Sequence, residues 1–440
     1  MNKKLFILLI VLTMICAILL AVGCDNHNEE APGGDNTLPS GGQDDNLSGG
    51  DGAQQEHVHT YAVEWSSDKD FHWHAATCGH DLTADKSAHT FDENSMCGIC
   101  KYYSSNGFLF ELNQDNASYT VKGLEMDNDN TQIVIPSTYQ GKPVTGIDNY
   151  AFRHCSDLIS VSIPSSIESI GSYAFDGCNA LKAVYITDIS SWCKINFEGS
   201  FSNPLEYAQK LYLNNKLVTD LTIPAEITKF DIYAFYNCVD LSSITVDPNN
   251  AVYKSQDNCL IEKQTNRLVL GCKNSVIPEY VKSIGSSAFE GCRELTSIEI
   301  PSGVSYIGFY AFAGCENLTH VVIPSGVKII CDGVFKNCSS LESVNIPSGV
   351  MEIGMSAFSG CASLKNVEIP AGITDIGQGA FASCVNLTKI VIPVGVTNIG
   401  ALAFVNCPKL TIYCELSGMQ SGWKETWNGN CEVVFDYIRD

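Results

Sequence analysis

The sequence is poor in positive charge. It has 26 Lys and Arg residues against 49 Asp and Glu residues, which gives a formal net charge of −23. A surface of that sign repels phosphate backbones, and it offers no basic patch to anionic lipid. The composition therefore argues against a nucleic-acid partner and against electrostatic adsorption to a membrane.

The motifs of the common catalytic sites are also absent. The chain has no G-x-x-x-x-G-K-[ST] loop, no dinucleotide-binding glycine fingerprint opening a helix, no G-x-S-x-G elbow and no H-E-x-x-H pair. Its acidic residues are scattered, so no glycosidase pair of carboxylates can be named. We therefore expect a protein that is not an enzyme and has no catalytic residues.

Residues 1–23 have the pattern of a signal peptide. Lys3 and Lys4 precede an apolar stretch, and small residues follow it. The ending Ala-Val-Gly-Cys at Cys24 resembles the lipobox of bacterial lipoproteins, which implies that Cys24 is lipidated and anchors the chain to a membrane. Two alternatives stay open: an uncleaved membrane-spanning helix, since 18 apolar residues nearly cross a bilayer, and cleavage at an ordinary signal-peptidase site.

Residues 24–55 follow as a linker. The segment is rich in Gly, Asp and Asn and has almost no apolar residues. Such a composition cannot bury enough surface to fold, so we expect a flexible spacer between the lipidated cysteine and the next domain.

A 23-residue repeat fills most of the remaining chain. Its template is V-x-x-I-G-x-x-A-F-x-x-C-x-x-L-x-x-V-x-I-P. The spacing of 23 is regular in the second half of the chain, where the repeat prolines are Pro278, Pro301, Pro324, Pro347, Pro370 and Pro393. A period of this length is typical of leucine-rich repeats and too short for helical repeats.

The template predicts how each coil folds. L-x-x-V-x-I alternates like a strand with one apolar face, and proline ends each strand because it cannot donate to a ladder. The glycine after the isoleucine is expected at a positive φ or at a close backbone approach. One coil cannot bury its apolar residues alone, but stacked coils can. The predicted fold is therefore a mainly β solenoid, a right-handed leucine-rich-repeat stack over residues 108–412 with short helical or irregular segments.

Two coils of the array are irregular. Residues 187–224 predict a short helix and a hairpin at Asn214-Asn215, and residues 246–278 predict a second hairpin turning between Thr265 and Asn266. Residues 413–440 have no sequence repeat, and we expect them to cap the last coil.

The repeat units resemble the BspA-like leucine-rich repeat family of bacterial surface proteins. Nine A-F-x-x-C or V-F-x-x-C units carry the resemblance, from about Leu109 to the C-terminus, with Cys331 and Val334 as small departures. The resemblance implies an exported, surface-anchored protein that binds other proteins in adhesion or in host or matrix interaction. Two alternatives are a structural envelope spacer without a specific ligand and a metal-dependent hydrolase that uses residues 56–103, which no motif supports.

The nine repeat cysteines, Cys155 to Cys407, fall in one inward column. A single column gives no reason for pairing, so we predict buried, reduced thiols. Cys259 and Cys272 differ, since they flank the predicted turn of the second hairpin. They could form a disulfide across paired strands, or they could stay as free thiols.

Residues 56–103 form a small His/Cys-rich module. Cys97 and Cys100 stand at the spacing of a zinc knuckle, and upstream residues could complete a tetrahedral site. A segment this short would also gain stability from a metal. We predict one structural Zn²⁺, with first-choice ligands Cys78, Cys97, Cys100 and either His74 or His80. A Cys97–Cys100 disulfide, or histidines without a ligand role, are the alternatives.

Two surfaces are candidates for binding a protein partner. The first is the outward face of the strands, where the residue before V and the x of V-x-I vary in chemistry. Its leading residues are Glu299, His320, Val322, Asn345 and Glu368. The second is a stripe of tyrosines before Ala-Phe, at Tyr150, Tyr173, Tyr233 and Tyr310. Neutral drift on a solvated face, and rings lying over the edge of a neighbouring coil, are the alternatives.

Overall fold

The structure is a computed structural model with strongly periodic backbone. It describes residues 61–62, 66–67, 71–77, 83–88, 90, 99, 107–125, 130–199, 201–229, 231 and 233–438. The signal-peptide and linker predictions, and most of the His/Cys-rich module, lie outside these residues. The described chain is a β-solenoid of about 13 turns with a period of about 23 residues, which confirms the predicted fold class.

The regular C-terminal coils contribute to two parallel sheets. The first contains the predicted L-x-x-V-x-I strands, in which each residue pairs with its equivalent one coil later. Its six strands are β22 (His320–Val322), β24 (Ser343–Asn345), β26 (Asn366–Val367), β28 (Lys389–Ile392), β30 (Thr411–Cys414) and β32 (Glu432–Val434).

The second sheet was not predicted. Four of its strands have two residues at the x-I positions before the repeat glycine or before Cys331, and the fifth comes from the C-terminal segment. All five are too short for an alternating pattern to reveal. Its five strands are β23 (Ile329–Ile330), β25 (Glu352–Ile353), β27 (Asp375–Ile376), β29 (Asn398–Ile399) and β31 (Gly422–Trp423). Each coil therefore carries two strands where the sequence indicated one.

The N-terminal coils repeat this arrangement with an antiparallel start. One sheet contains β4 (Phe108–Leu112), β5 (Tyr119–Leu124), β7 (Thr138–Tyr139), β8 (Lys142–Ile147), β10 (Ser169–Ile170) and β12 (Asn196–Phe197). The other contains β6 (Gln132–Val134), β9 (Ser160–Ile163), β11 (Ala183–Ile186), β13 (Leu211–Leu213) and β14 (Lys216–Leu217). Strands β4 and β5 pair antiparallel at the edge of the first of these sheets.

Both irregular coils contain the predicted elements. The first has helix α1 (Ile189–Lys194), whose N-cap Asp188 accepts from the Ser191 backbone N–H at 2.6 Å, helix α2 (Leu205–Ala208) and the β13–β14 hairpin. Asn214 and Asn215 both have positive φ, as a tight two-residue hairpin turn requires. The short pair β15 (Asp220–Ile223) and β16 (Ser243–Val246) follows.

The second irregular coil forms an antiparallel meander. Its strands are β17 (Tyr253–Gln256), β18 (Cys259–Glu262) and β19 (Arg267–Leu270), continued in parallel by β20 (Ser283–Ile284) and β21 (Tyr306–Ile307). The hairpin prediction is thus confirmed. Alternate residues of β18 pack into different core clusters, because successive side chains of a strand point to opposite faces.

The repeat phenylalanines form the centre of the C-terminal core. From Phe289 to Phe404 the rings of successive coils stack with centroids 5.1 to 5.6 Å apart, and all six are fully buried. Offset aromatic stacking at this distance adds to the gain from burial. The departures at Cys331 and Val334 are also buried, so the core is continuous through that coil.

The turns explain the fixed proline and glycine positions. The carbonyl of each repeat proline accepts the N–H three residues on, as Pro347 does from Val350 at 3.1 Å. The glycine after isoleucine does not have a positive φ. A Cβ on Gly377 would lie 2.5 Å from backbone atoms of Gly354 and Met355, so close approach between coils is the reason for glycine.

The repeat cysteines connect neighbouring coils. From Cys315 to Cys407 each thiol donates to the phenylalanine carbonyl of the preceding coil, at 3.1 to 3.3 Å. All nine are free thiols; seven are buried, and Cys155 and Cys292 are half-buried. The predicted column is thus present, and its sulfurs bond to backbone oxygen.

The C-terminal segment adds one more coil. Strands β31 and β32 extend both sheets beyond residue 412, and Trp427 packs edge-on against the Phe404 ring. Cys431 donates to the Phe404 carbonyl at 3.3 Å, the same bond that the repeat cysteines make. The segment lacks the sequence repeat but folds as a repeat, because Trp427 and Cys431 fill inward positions that template residues fill in the other coils.

Candidate functional site

The predicted sheet-face residues lie together on the outward side of the first sheet. His320 pairs in register with Ser343, and Val322 with Asn345. All five predicted side chains are exposed, and Val322 is 66% exposed. An open depression of about 560 Å³ next to them is lined by Asn345 and Glu368, among others. Glu299 stands at the edge, in a segment that pairs with β22 through an isolated bridge at Ser297 and His320.

Some residues that the repeat pattern assigns to the outward face are buried. Val391, the x of V-x-I in its coil, is only 8% exposed. Its register partner is Tyr413, whose large side chain lies on the same face. Ser160 and Ala183, in the column before V, are each 9% exposed. The expectation of a fully outward column was wrong at these positions, because neighbouring side chains and coils cover them.

The C-terminal end of this face carries a cluster that sequence reasoning missed. The Lys389 ammonium lies 5.1 Å from the Tyr413 ring centroid and 4.9 Å from that of Tyr437. It also donates to the Tyr437 hydroxyl at 2.9 Å. No signal in the sequence links Tyr437 to the repeat, since it lies beyond the last recognisable unit.

The four predicted tyrosines fall into two pairs, and the Phe201 ring, 5.9 Å from that of Tyr173, lies between the pairs. Tyr150 and Tyr173 stack at 5.4 Å, with the Arg153 guanidinium 5.3 Å from the Tyr150 ring. Tyr233 and Tyr310 instead line a common groove in the middle of the solenoid. Tyr150, Tyr173 and Tyr310 have φ between 55° and 62°, a conformation that L-residues seldom adopt.

Tyr310 also matches the alternative of a ring lying over the next coil. A Cβ on Gly333 would lie 2.3 Å from its ring, so the glycine makes room for the tyrosine. The ring is still 38% exposed. The Tyr310 side chain is therefore packed against the next coil and is also partly exposed to solvent.

The predicted metal ligands fall mostly outside the described residues. Strands β1 (Ser66–Ser67), β2 (Phe71–Ala75) and β3 (Thr83–Ala88) form a small antiparallel sheet. His74 lies in β2, while Cys78, His80, Cys97 and Cys100 are not among the described residues. His72, two residues before His74, is buried and lies 2.8 Å from the Ser87 hydroxyl. In the part of the chain that the structure describes, no group of three metal-ligating side chains comes together, and the zinc site stays a prediction.

Cys259 and Cys272 are both free, buried thiols in the structure. Cys259 packs in the C-terminal core cluster and Cys272 in the N-terminal one. The Cys259 thiol lies 3.5 Å from the Val276 carbonyl, and the Cys272 thiol 3.7 Å from the Ser275 hydroxyl. Of the two alternatives for this pair, the structure has the free thiols.

The predicted lipidation site, Cys24, lies outside the described residues. Over the described ranges, neither helix has the length and apolar character needed to cross a membrane.

Comparison with known sequences identifies the repeat. The profile of the BspA type leucine rich repeat region, in six copies, matches residues 127–259, 189–281 and 282–411. The chain belongs to the BspA type leucine-rich repeat family. The resemblance drawn from the A-F-x-x-C units is therefore confirmed. No curated protein matches this BspA type chain.

Several solved structures are similar to it. A leucine rich cell surface protein from Faecalibacterium prausnitzii is 26% identical, with 75% of this chain and 97% of that chain covered and a TM-score of 0.36. A leucine-rich repeat protein from Eubacterium ventriosum is 21% identical, with 74% and 97% covered and a TM-score of 0.41. The pneumococcal vaccine antigen PcpA is 17% identical, with 76% and 98% covered and a TM-score of 0.39.

Proposed function

We propose that this chain is an exported, lipid-anchored surface protein that binds another protein through the outward face of its first parallel sheet. The observation that carries the proposal is the contrast between the two sides of that sheet. Val321 and Val344 are buried on the inner side, while the outer side exposes different chemistry in each coil. A solenoid presents such columns as one continuous surface.

The chemistry of the face suits a protein partner. His320, Val322, Asn345 and Glu368 combine an apolar side chain with polar groups of different kinds. The nearby Lys389–Tyr413–Tyr437 cluster adds aromatic area and a cation at one end.

A pair of matched substitution sets tests the binding face. One variant of the full chain changes His320, Val322, Asn345 and Glu368 to Ala. The control changes Ile329, Glu352, Asp375 and Asn398 to Ala, the first residues of strands in the second sheet of the same coils. With a partner isolated by pull-down, the first set is expected to weaken binding at least tenfold, about 1.4 kcal/mol, and the control set to leave it unchanged.

The outcome can also contradict the proposal. A variant of the four tyrosines is measured alongside, with urea unfolding as the check that every variant folds like the parent. Loss of binding in the tyrosine variant alone would assign the partner to the tyrosine positions. Equal binding by all variants would exclude both surfaces.

Anchoring is tested separately. We expect the full chain expressed in a bacterial host to incorporate labelled fatty acid and to fractionate with the membrane. Cys24→Ser should remove the label, because a lipobox cysteine is the attachment site. Label retained in Cys24→Ser would contradict the lipid anchor, and an unlabelled parent would do the same.

A further inference from the structure

A groove lies where the first irregular coil meets the regular array. It consists of two adjoining cavities of about 280 and 250 Å³. Five residues line both cavities, and we call the site they define the insertion groove: Glu206, Tyr236, Glu290, Tyr310 and Lys336. Helix α2 of the irregular coil supplies Glu206, while the others come from repeat coils.

The groove depends on the insertion and on small repeat residues. Tyr236, Glu290, Ala313 and Lys336 occupy the position after the repeat phenylalanine in successive coils. The alanine leaves a gap between Glu290 and Lys336, and Ala313 and Gly314 line it. Insertions in solenoids commonly form the binding face, because the regular coils alone present no concave site of this kind.

Carboxyl and hydroxyl groups converge inside the groove. The Tyr236 hydroxyl lies beside the carboxyl groups of both Glu206 and Glu290. Burial raises the pKa of Glu290 to about 7, with the Ser287 hydroxyl and Lys336 opposing the shift and Glu206 adding to it. Burial also raises the pKa of Glu206. A carboxyl group that keeps its proton near neutral pH can donate a hydrogen bond as well as accept one.

The charges of the groove nearly cancel. Arg293 is paired with Glu316 at 3.2 Å, which leaves the two glutamates against the Lys336 ammonium. With Glu290 partly protonated, the interior is close to neutral in a chain whose net charge is −23. A strongly charged ligand of either sign would therefore gain little there.

Aromatic rings supply the remaining wall. Tyr233, Tyr310 and Phe201 line the larger cavity, and the Lys336 ammonium lies 5.9 Å from the Tyr310 ring centroid. Tyrosine offers an apolar ring with a polar tip and little loss of conformational freedom on binding. Flat rings next to mixed donors and acceptors are suited to a ligand with an apolar C–H face and many hydroxyl groups.

We propose that the insertion groove binds a neutral carbohydrate, a mono- or oligosaccharide without acidic groups. Sugar hydroxyls donate and accept, so they match the mixed set of Glu206, Tyr236, Glu290 and Lys336. The tyrosine rings would pack against the sugar ring. This binding activity is separate from the protein contact proposed for the sheet face.

The test uses the purified full chain on an array of neutral, sialylated and sulfated oligosaccharides, with lysine-rich peptides as a further arm. Binding to at least one neutral oligosaccharide is expected. Glu206→Gln and Tyr310→Ser should each weaken it at least tenfold. Serine is chosen because Ser287 and Ser356 occupy the same repeat position with φ of 56° and 53°, so the change adds no new backbone strain.

Tyr150→Ser is the matched control, since Tyr150 has the same repeat position and a φ of 62° but lies away from the groove. It should bind like the parent. If Tyr310→Ser does not fold, glycan binding by Glu206→Gln alone tests the proposal. The proposal is overturned if no neutral glycan binds, if binding is confined to charged glycans or lysine-rich peptides, or if Glu206→Gln and a folded Tyr310→Ser bind as the parent does.

Discussion

At the scale of single residues, the atoms that contact the sulfur of each repeat cysteine determine its chemical state. A buried thiol that donates to a carbonyl of the preceding coil needs no partner sulfur, and each coil provides that carbonyl in the same place. Burial raises the pKa of Cys338 to about 12, and it raises the pKa of Cys361 well above the ordinary value. The thiolate, which is the reactive form, is therefore scarce at neutral pH.

The alkylation of these cysteines follows from that environment. In the folded full chain at pH 8, iodoacetamide should leave the fully buried thiols Cys315, Cys338 and Cys361 unlabelled for hours, as read by peptide mass spectrometry. In guanidinium chloride without reductant all three should label. Disulfides among several repeat cysteines, or fast labelling in the folded chain, would contradict the prediction.

Glu290 makes stability depend on pH. Burial raises the pKa of this carboxyl group to about 7 in the folded chain, from an ordinary value of 4.5. Between those values the unfolded chain loses the proton while the folded chain keeps it, so stability falls as pH rises from about 4.5 through 7. The full loss from this group is up to about 3 kcal/mol.

Glu290→Gln should remove that dependence. Urea unfolding at pH 5, 6, 7 and 8 should show the variant gaining stability relative to the parent as the pH rises. Glu299→Gln, on the exposed sheet face, serves as the control and should track the parent. A constant difference between Glu290→Gln and the parent across the series would show that the buried carboxyl does not titrate in this range.

At the scale of elements, the repeat glycine marks the place where two coils touch. Gly377→Ala would place a Cβ 2.5 Å from the backbone of the preceding coil, whereas the space around Gly418 is open to 4 Å. Backbone cannot move aside as a side-chain end can. Gly377→Ala should therefore lower the free energy of unfolding by about 1–3 kcal/mol.

Gly418→Ala is the matched control for this prediction. Neither glycine has a positive φ, so the two substitutions differ in packing and not in backbone strain. Gly418→Ala should change stability by less than about 1 kcal/mol in either direction. Equal effects in urea unfolding would mean that close approach is not what selects glycine.

The elements also show which parts of the fold the sequence pattern can predict. The inward positions, the proline turns, both hairpins and the short helix were predictable because each depends on local alternation or local turn chemistry. The second sheet was not, since a two-residue strand such as β25 leaves no period to detect. The coil around Trp427 was missed because its inward residues differ from the template.

At the scale of the whole molecule, the buried residues form two clusters that meet at the β18–β19 hairpin. In a solenoid each coil contacts mainly its neighbours. A substitution that destabilises one coil should therefore destabilise the adjacent coils as well, and its effect should decrease with distance along the stack. Phe358 is fully buried and stacks on the rings of both adjacent coils. Phe358→Ala should cost about 3–5 kcal/mol locally.

Hydrogen exchange followed by mass spectrometry measures where that loss appears. Amides of the coils carrying Phe335 and Phe381 should exchange faster in Phe358→Ala, while amides in strands β9 and β11 should keep the protection of the parent. Ser359→Ala, at the next and partly exposed residue, is the control and should leave exchange unchanged. Uniform loss of protection from β9 to β32 would show one cooperative unit and contradict the nearest-neighbour description.

The sequence by itself determined the solenoid, its family and its inner columns, because a residue that recurs every 23 positions reports the same local environment each time. It also named the exposed sheet face, since strand alternation separates inner from outer side chains. Only the tertiary structure decided that Val391 is covered, that the four tyrosines divide into two groups, and that Glu206 meets Tyr236 and Glu290 in a groove. The groove joins coils across an insertion whose length is outside the period, so no regular spacing in the sequence records it, and the same insertion separates the two tyrosine pairs. Val391 is covered because of the size of the Tyr413 side chain beside it, which the repeat pattern does not specify.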